Sequence, residues 1–408
     1  MKCRFCNTEL HHVFVDLFNS PASNSFLTKE QLNEPETFYP LKVYTCHNCF
    51  LVQVDEYQKS DAIFNGDYVY FSSYSTSWLT HAKKYVEDMT DRFELNHESM
   101  VMEIASNDGY LLQYFVEKNI PVLGIEPTSN TAKVAEEKGV KSLVEFFGTT
   151  LAKNLAIQGK KADLLLGNNV LAHVPDIVDF VGGMKLVLND TGVITMEFPH
   201  LLQLVESNQF DTIYHEHFSY LSFHTVQKIF ESKGLELFDV EELSTHGGSI
   251  RIFAKHKEDT TKVISDNVVK MLQKEITIGL TKLEYYDDFQ KRALKVKLDL
   301  IDFLIEQKRK GKKVAAYGAA AKGNTLLNYC GVKSDLIDFV VDANPHKQNK
   351  YLPASHIPVL NEEHLRNEKP DFILILPWNL KEEIVKQLEY TRSWGAKFVV
   401  PIPNLHLI

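Results

Sequence analysis

From about Met100 onward, short apolar runs alternate with amphipathic stretches. VMEIA, VLGIE, DLLLGNN and VITMEF are apolar enough for strands buried on both faces, and helical spacing fills the gaps between them. GLELFDVEEL and SIRIFAKH add two further strands. Alternation of this kind predicts a mostly parallel, doubly wound α/β sheet. Residues from Thr261 to Lys310 read as one or two long helices. A second series follows in KVAAYGA, LIDFVVDAN, IPVL, FILILPW and KFVVPIP, predicting a smaller α/β unit over 311–408. Residues 1–58 differ, with strand-like LKVYTC and FLVQV set between Pro and Asn turns. The section 59–260 therefore opens with a tyrosine-rich connector, FNGDYVYFSSYS, and a helix from about Ser77 carrying Leu79, Tyr85, Val86 and Met89. Residues 261–310 form a helical connector.

A length of 408 residues agrees with two or three packed units. Hydrophobic content of 44% fills their cores, and no apolar run approaches a membrane span. The start, MKCRFCNTEL, is polar where an export signal would be apolar, so a cytoplasmic location is expected. A net charge of −10 without a basic stripe argues against nucleic acid as a partner. It does not exclude a diphosphate held by one lysine and a helix N-terminus. A monomer or weak dimer is expected.

Cys3-x-x-Cys6 and Cys46-x-x-Cys49 are paired two-residue knuckles, the spacing that brings four thiolates around one tetrahedral Zn²⁺. With all four positions filled, the metal is expected to be structural. Cys330 has no partner in the pattern and reads as a small buried hydrophobe.

Chemistry is concentrated at the strand ends. The VMEIASNDG loop offers Ala105, Asn107 and Gly109 for close approach of a nucleotide cofactor, although only one glycine of the generic dinucleotide signature is present. Glu126 ends the next strand, placed to accept hydrogen bonds from two ribose hydroxyls. Asn168 and Asn169 end the third strand. The missing glycines disfavour a cofactor diphosphate and point to S-adenosylmethionine (SAM). In FDTIYHEHFSY, a histidine of the His215-Glu216-His217 run is the candidate general base, with Tyr214 and Glu216 placed to orient it or to hold the acceptor; His173 and Tyr68 are candidate hydrogen-bond donors to an enolate oxygen. A zinc-protease site is excluded, because position 219 is Ser. In the second unit, YGAAAKGNT opens a helix whose N-H groups and Lys322 would face a diphosphate, with Asn324 beside it, and Asp342 would meet a ribose or base. The Lys-Gly order is not that of an ATP-binding loop.

The two knuckles, NGDYVYFSSYS, EIASNDGYLL, GNNVLAHVPD, EFPHLL, YHEHFSY, THGGSIR, YGAAAKGNTLLN and VDANPHKQNKYLP together resemble the sugar C-methyltransferase family of deoxysugar biosynthesis, particularly its C-3′-methyltransferases of D-tetronitrose formation. The resemblance covers nearly the whole chain. It implies a zinc lobe, a class I methyltransferase (Rossmann-like) domain and a second Rossmann-like domain that helps hold the nucleotide, with the cleft between the last two. It also implies that His217 is the base, that Tyr214 and Glu216 support it, and that His173 and Tyr68 line the site. The expected reaction is SAM-dependent methylation at C3 of a nucleotide-linked, TDP-type 4-keto-6-deoxyhexose. The alternatives are methyl transfer to oxygen or nitrogen of another small acceptor, and a non-enzymatic zinc module with a relic cofactor fold.

Overall fold

The computed structural model describes residues 1–64 and 70–408. The N-terminal lobe is an antiparallel meander of β1 (His12–Ser20), β2 (Tyr39–Thr45) and β3 (Val52–Val54). Leu41, Val43 and Thr45 alternate inward along β2, as a sheet with one wet face requires. The Cys3 and Cys6 knuckle precedes β1, and the Cys46 and Cys49 knuckle turns β2 into β3. All four Sγ atoms lie within 4.8 Å of one another. Thiolates bound at about 2.3 Å in a tetrahedron are about 3.8 Å apart, so the cluster fits a single Zn²⁺ with no open position. Gln53 Nε2 donates to Cys3 Sγ at 3.2 Å and steadies the cage.

The central sheet is built from β4 (Val101–Ile104), β5 (Val122–Ile125), β6 (Ser142–Leu143), β7 (Ala162–Asn168) and β8 (Leu188–Pro199), all parallel. A two-residue strand, β9 (Ser219–Tyr220), leaves this sheet and pairs with β3 of the lobe. β10 (Leu235–Leu243) and β11 (Ser249–His256) follow as an antiparallel hairpin in which β11 alone runs against the sheet, giving the order β10-β11-β8-β7-β4-β5-β6. This is the class I methyltransferase arrangement. The chain winds outward from β4 through β5 and β6 and then crosses back to β7, so a crevice opens at the carboxyl ends of β4 and β7.

Two helices follow, Asp266–Ile278 and Phe289–Arg309. The C-terminal sheet comprises β12 (Val314–Tyr317), β13 (Val340–Val341), β14 (Lys350–Tyr351), β15 (Pro358–Leu360), β16 (Phe372–Ile375), β17 (Lys397–Val400) and β18 (His406–Leu407). Its order is β14-β15-β13-β12-β16-β17-β18, parallel in the middle and closed by antiparallel edges.

The lobe is wedged between the two larger units. Phe14 stacks on Phe289 at 4.4 Å, and one apolar cluster runs from Val43 and Val54 through Val296 and Leu300 to Val314 and Val340. The metal end faces the other way, where Cys3, Cys46, Cys49 and Leu51 join the core beneath the methyltransferase sheet. Among the described residues no helix is long and apolar enough to cross a membrane.

Because the thiolate cage folds a lobe whose cysteine end joins the methyltransferase core and whose strands pack on the C-terminal side, metal loss should be felt by the whole molecule. Cys46→Ser, or a strong chelator acting on the wild type, is expected to lower the melting temperature by about 5 °C or more. Purified protein that carries no zinc by elemental analysis and melts identically with chelator would refute the assignment.

Candidate active site

One cavity of about 610 Å³ lies at the carboxyl ends of β4 and β7, closed on its far side by the C-terminal unit. Ala105, Asn107, Glu126 and Asn168 line one half, together with Tyr110, Phe146, Phe147 and Phe180. The loop after β4 turns through left-handed backbone at Ala105 (φ 58°), Asn107 (φ 48°) and Gly109 (φ 72°). Glu126 braces it by accepting from Asn107 N at 2.8 Å and from Thr128 N at 2.9 Å. The Asn107 side chain holds down the connector, accepting from Ser72 N at 2.9 Å and donating to the Tyr70 carbonyl at 3.2 Å.

Gly109 does not reach this wall. A Cβ there would sit 3.1 Å from Ala135 and 3.2 Å from Val140, so the glycine serves a left-handed turn and close packing against the helix Ser129–Glu137. Tyr68 lies outside the described residues.

The other half contains His173, Thr212, Tyr214, Glu216, His217, His246, Lys322 and Asn379. His217 Nδ1–H donates to the Thr212 carbonyl at 2.9 Å, which leaves Nε2 with the lone pair a base needs. Its ring lies 4.0 Å from that of Tyr214 and 4.6 Å from that of His173, centroid to centroid. Burial and then the charge of His173 hold the His217 pKa well below the usual imidazole range, so the ring is neutral near pH 7. Burial pushes His173 down to about 4 and Tyr214 well up. It raises Glu216 to about 7, opposed by the Asn24 amide, whose Nδ2 donates to Glu216 Oε1 at 2.7 Å. His215, by contrast, points into the lobe, where its Nε2 lies 3.2 Å from the Pro40 carbonyl.

Two further candidates lie off the wall. Asn324 Nδ2 donates to the Ser23 carbonyl at 2.6 Å, while its buried Oδ1 has no hydrogen-bond partner among the described residues. Asp342 closes its own loop, accepting from Ala319 N at 2.7 Å and Asn344 N at 2.8 Å. Both serve the architecture around the cavity and leave the ligand to others.

Sequence reasoning missed several wall residues. His246, in the THGGSIR segment, is held in left-handed backbone (φ 55°, ψ 20°), stacked on Trp78 at 5.0 Å, with Nε2 2.7 Å from Asn169 Nδ2. The two glycines after it are required, because a Cβ on Gly247 would be 2.5 Å from Trp378 and one on Gly248 would be 2.5 Å from Gln203. Asn24 and Asn379 also line the cavity without any local motif to announce them, and Lys347 does so from within the VDANPHKQNKYLP segment. The orphaned Asn169 Oδ1, the braced Glu126 and the aromatic flank suit a nucleoside-bearing ligand with polar groups at both ends.

Fold and site together define a SAM-dependent methyltransferase. Three family models match: "Putative zinc binding domain" over residues 3–64, "Methyltransferase domain" over 78–240 and "C-methyltransferase C-terminal domain" over 244–403. C-methyltransferase NovU of Streptomyces niveus is 34% identical over all of this chain and 96% of its own. Solved structures align over less than half of the chain. The PH0226 protein of Pyrococcus horikoshii OT3 has 13% identity and a TM-score of 0.39, covering 46% of this chain and 95% of its own. A SAM-dependent methyltransferase of Clostridium acetobutylicum ATCC 824 has 13% identity and a TM-score of 0.36, covering 44% and 92%. The chain belongs to the C-methyltransferase family, which places the transferred methyl on carbon and sets aside oxygen or nitrogen as the acceptor atom.

The Asn24 amide donates to Glu216, so the ionised carboxylate is the form this contact favours. Activity is expected to rise with pH through a midpoint near 7, and Glu216→Gln should flatten that limb. The folded-state pKa lies above the ordinary 4.5, so ionisation opposes folding, and the stability present at low pH is lost as pH rises through about 7. Glu216→Gln should therefore raise the melting temperature at pH 8 and leave it unchanged at pH 5. Equal effects at both pH values would contradict the assignment.

Proposed function

We propose that the enzyme methylates C3 of a nucleotide-linked, TDP-type 4-keto-6-deoxyhexose through an enolate, with His217 as the base. The observation that carries this reading is the hydrogen bond from His217 Nδ1 to the Thr212 carbonyl, which fixes an uncharged imidazole with a free Nε2 inside the cavity that holds the cofactor wall. A carbon beside a ketone is acidic enough for such a base, whereas an unactivated carbon is not. SAM, when bound along the Ala105 and Glu126 wall, supplies the electrophilic methyl. His173 adds to the polar lining around the ketone, Tyr214 packs on His217, and Glu216, held by Asn24, stands on the same wall.

The C-terminal unit is the nucleotide's half of the site. The helix Ala321–Cys330 begins at the cavity with uncapped N-H groups. Lys347 stands beside it, its ammonium 2.9 Å from the Ala319 carbonyl. A helix N-terminus backed by a lysine suits a diphosphate. The resemblance to sugar C-methyltransferases supports the deoxysugar, and the cavity is large enough for a hexose beside the cofactor.

In deuterated water with SAM and a panel of TDP-4-keto-6-deoxyhexoses, a methylated product and deuterium at C3 are expected with at least one substrate. His217→Asn should depress both by about 10³-fold while SAM binding persists. Absence of product and of exchange with every sugar offered would end this reading.

A further inference from the structure

The turn that anchors the proposed base also holds, through Trp378, a half-buried cation. Residues Phe210–Thr212 form a single 3-10 turn. The Thr212 carbonyl accepts from His217. One residue earlier, Asp211 Oδ2 accepts from Trp378 Nε1 at 2.7 Å, and the Lys322 ammonium sits 5.0 Å from the centre of the Trp378 ring. The helix bearing Lys322 is docked on the same segment, with Thr325 Oγ1 donating to the Ile213 carbonyl at 3.0 Å. Base and cation are therefore hung from consecutive residues and line one cavity.

The cation is under-satisfied. Among the described residues the Lys322 ammonium donates to Asn379 Oδ1 alone, at 2.6 Å, and makes no ion pair. Asp211, the acid whose charge reaches it, lies behind Trp378, with Oδ1 lacking any hydrogen-bond partner. Of the two cavity lysines, the charge of Lys322 reaches His217, and Lys347 is engaged by the Ala319 carbonyl. The three histidines around the centre are held neutral by burial. Lys322 thus lines the same cavity as the base with that single hydrogen bond; burial lowers its pKa and the charge of Asp211 opposes that shift.

We propose that Lys322 is a catalytic residue, whose ammonium binds the ketone oxygen of the substrate and stabilises the negative charge that gathers there as His217 removes the neighbouring proton. This rests on the carbanion reading above and moves Lys322 from the diphosphate to the reacting centre. As Nε2 of His217 takes the proton, the C–H pair becomes the C=C bond and the C=O π pair moves onto oxygen beside the ammonium. When the new C–C bond forms and the S–CH₃ bond breaks, that pair returns to the carbonyl, and the proton leaves His217 for solvent. A preorganised donor in a dry site is most effective where charge develops during the step.

The test uses the full-length enzyme, a TDP-4-keto-6-deoxyhexose that the wild type turns over, and Lys322→Met, Lys322→Arg and Lys322→Gln. Two quantities are read: the rate of deuterium exchange at C3 with saturating sugar, and TDP binding by calorimetry. Lys322→Met should slow exchange by about 10²-fold or more with the TDP affinity within about threefold of wild type, and Lys322→Arg should recover at least tenfold of the loss. Unchanged exchange, or a loss confined to TDP affinity, would overturn the proposal and return the lysine to the diphosphate. If Lys322→Met does not fold, Lys322→Gln takes its place, and exchange within twofold of wild type in that variant rejects the proposal. Exchange absent from the wild type would sink the carbanion reading itself, a result distinct from failure of the lysine's role.

Discussion

Residues 210–220 are gripped by all three parts of the molecule at once, and the site exists because of that grip. The lobe takes Ser219 and Tyr220 into its sheet and sends Asn24 to Glu216. The methyltransferase domain accepts Phe218 N at the Ala172 carbonyl, 2.8 Å away. The C-terminal unit holds Asp211 through Trp378 and the Ile213 carbonyl through Thr325. An eleven-residue loop with so little regular structure of its own would cost much conformational entropy to fix; distributing its hydrogen bonds over three rigid bodies makes it a platform.

That platform sets protonation states by dehydration more than by pairing. His173, His217 and His246, half-buried around the cavity, are held neutral, Tyr214 is held protonated, and Glu216 and Asp211 are pushed up to about 7 and about 6. Burial is the largest cause in every case, so the polarity of the site depends on how completely the three units close over it. The zinc cage is part of that closure. Its Cys49 carbonyl accepts from Thr225, and Arg4 beside Cys3 donates to the Pro175 carbonyl at 2.9 Å, next to the cavity wall. A metal without open coordination thereby shapes a reaction it does not touch.

Much of the fold was legible because it rests on local pattern. Apolar strand runs, helical spacing and knuckle spacing each describe neighbours in the chain, and the sheets and the thiolate cluster followed them. The cavity wall was legible where a residue follows a strand that the pattern located, as with Ala105, Asn107, Glu126 and Asn168, and where a titratable cluster stood out, as with His173 and His217. Gly109 shows the limit: its motif position suggested a ligand, but φ and the crowding from Ala135 and Val140 explain it fully. Asn324 and Asp342 are polar groups near a binding loop that backbone donors and acceptors had already claimed. Asn24 and Glu216 are 192 positions apart, and nothing in the PASNS turn signals that its asparagine crosses to another unit. His246 was hidden differently, since its role depends on a left-handed backbone that two following glycines make room for.

The same closure bears on why a carbon acceptor is compatible with this architecture. An oxygen or nitrogen nucleophile carries its lone pair into the site, but a carbon nucleophile must be made there, and water that reached it would return the proton before the methyl moved. The design requirement is thus a base and a charge-stabilising donor in a space from which solvent is excluded. Under the proposed reaction, a single cavity lined by both Glu126 and His217 would meet it, because the nucleophile would be generated beside its electrophile. The second α/β unit then has a physical role beyond holding the substrate: without its helix Ala321–Cys330 and Trp378, the wall behind Asp211 would be open to water, and the histidines would regain the solvation that charges them.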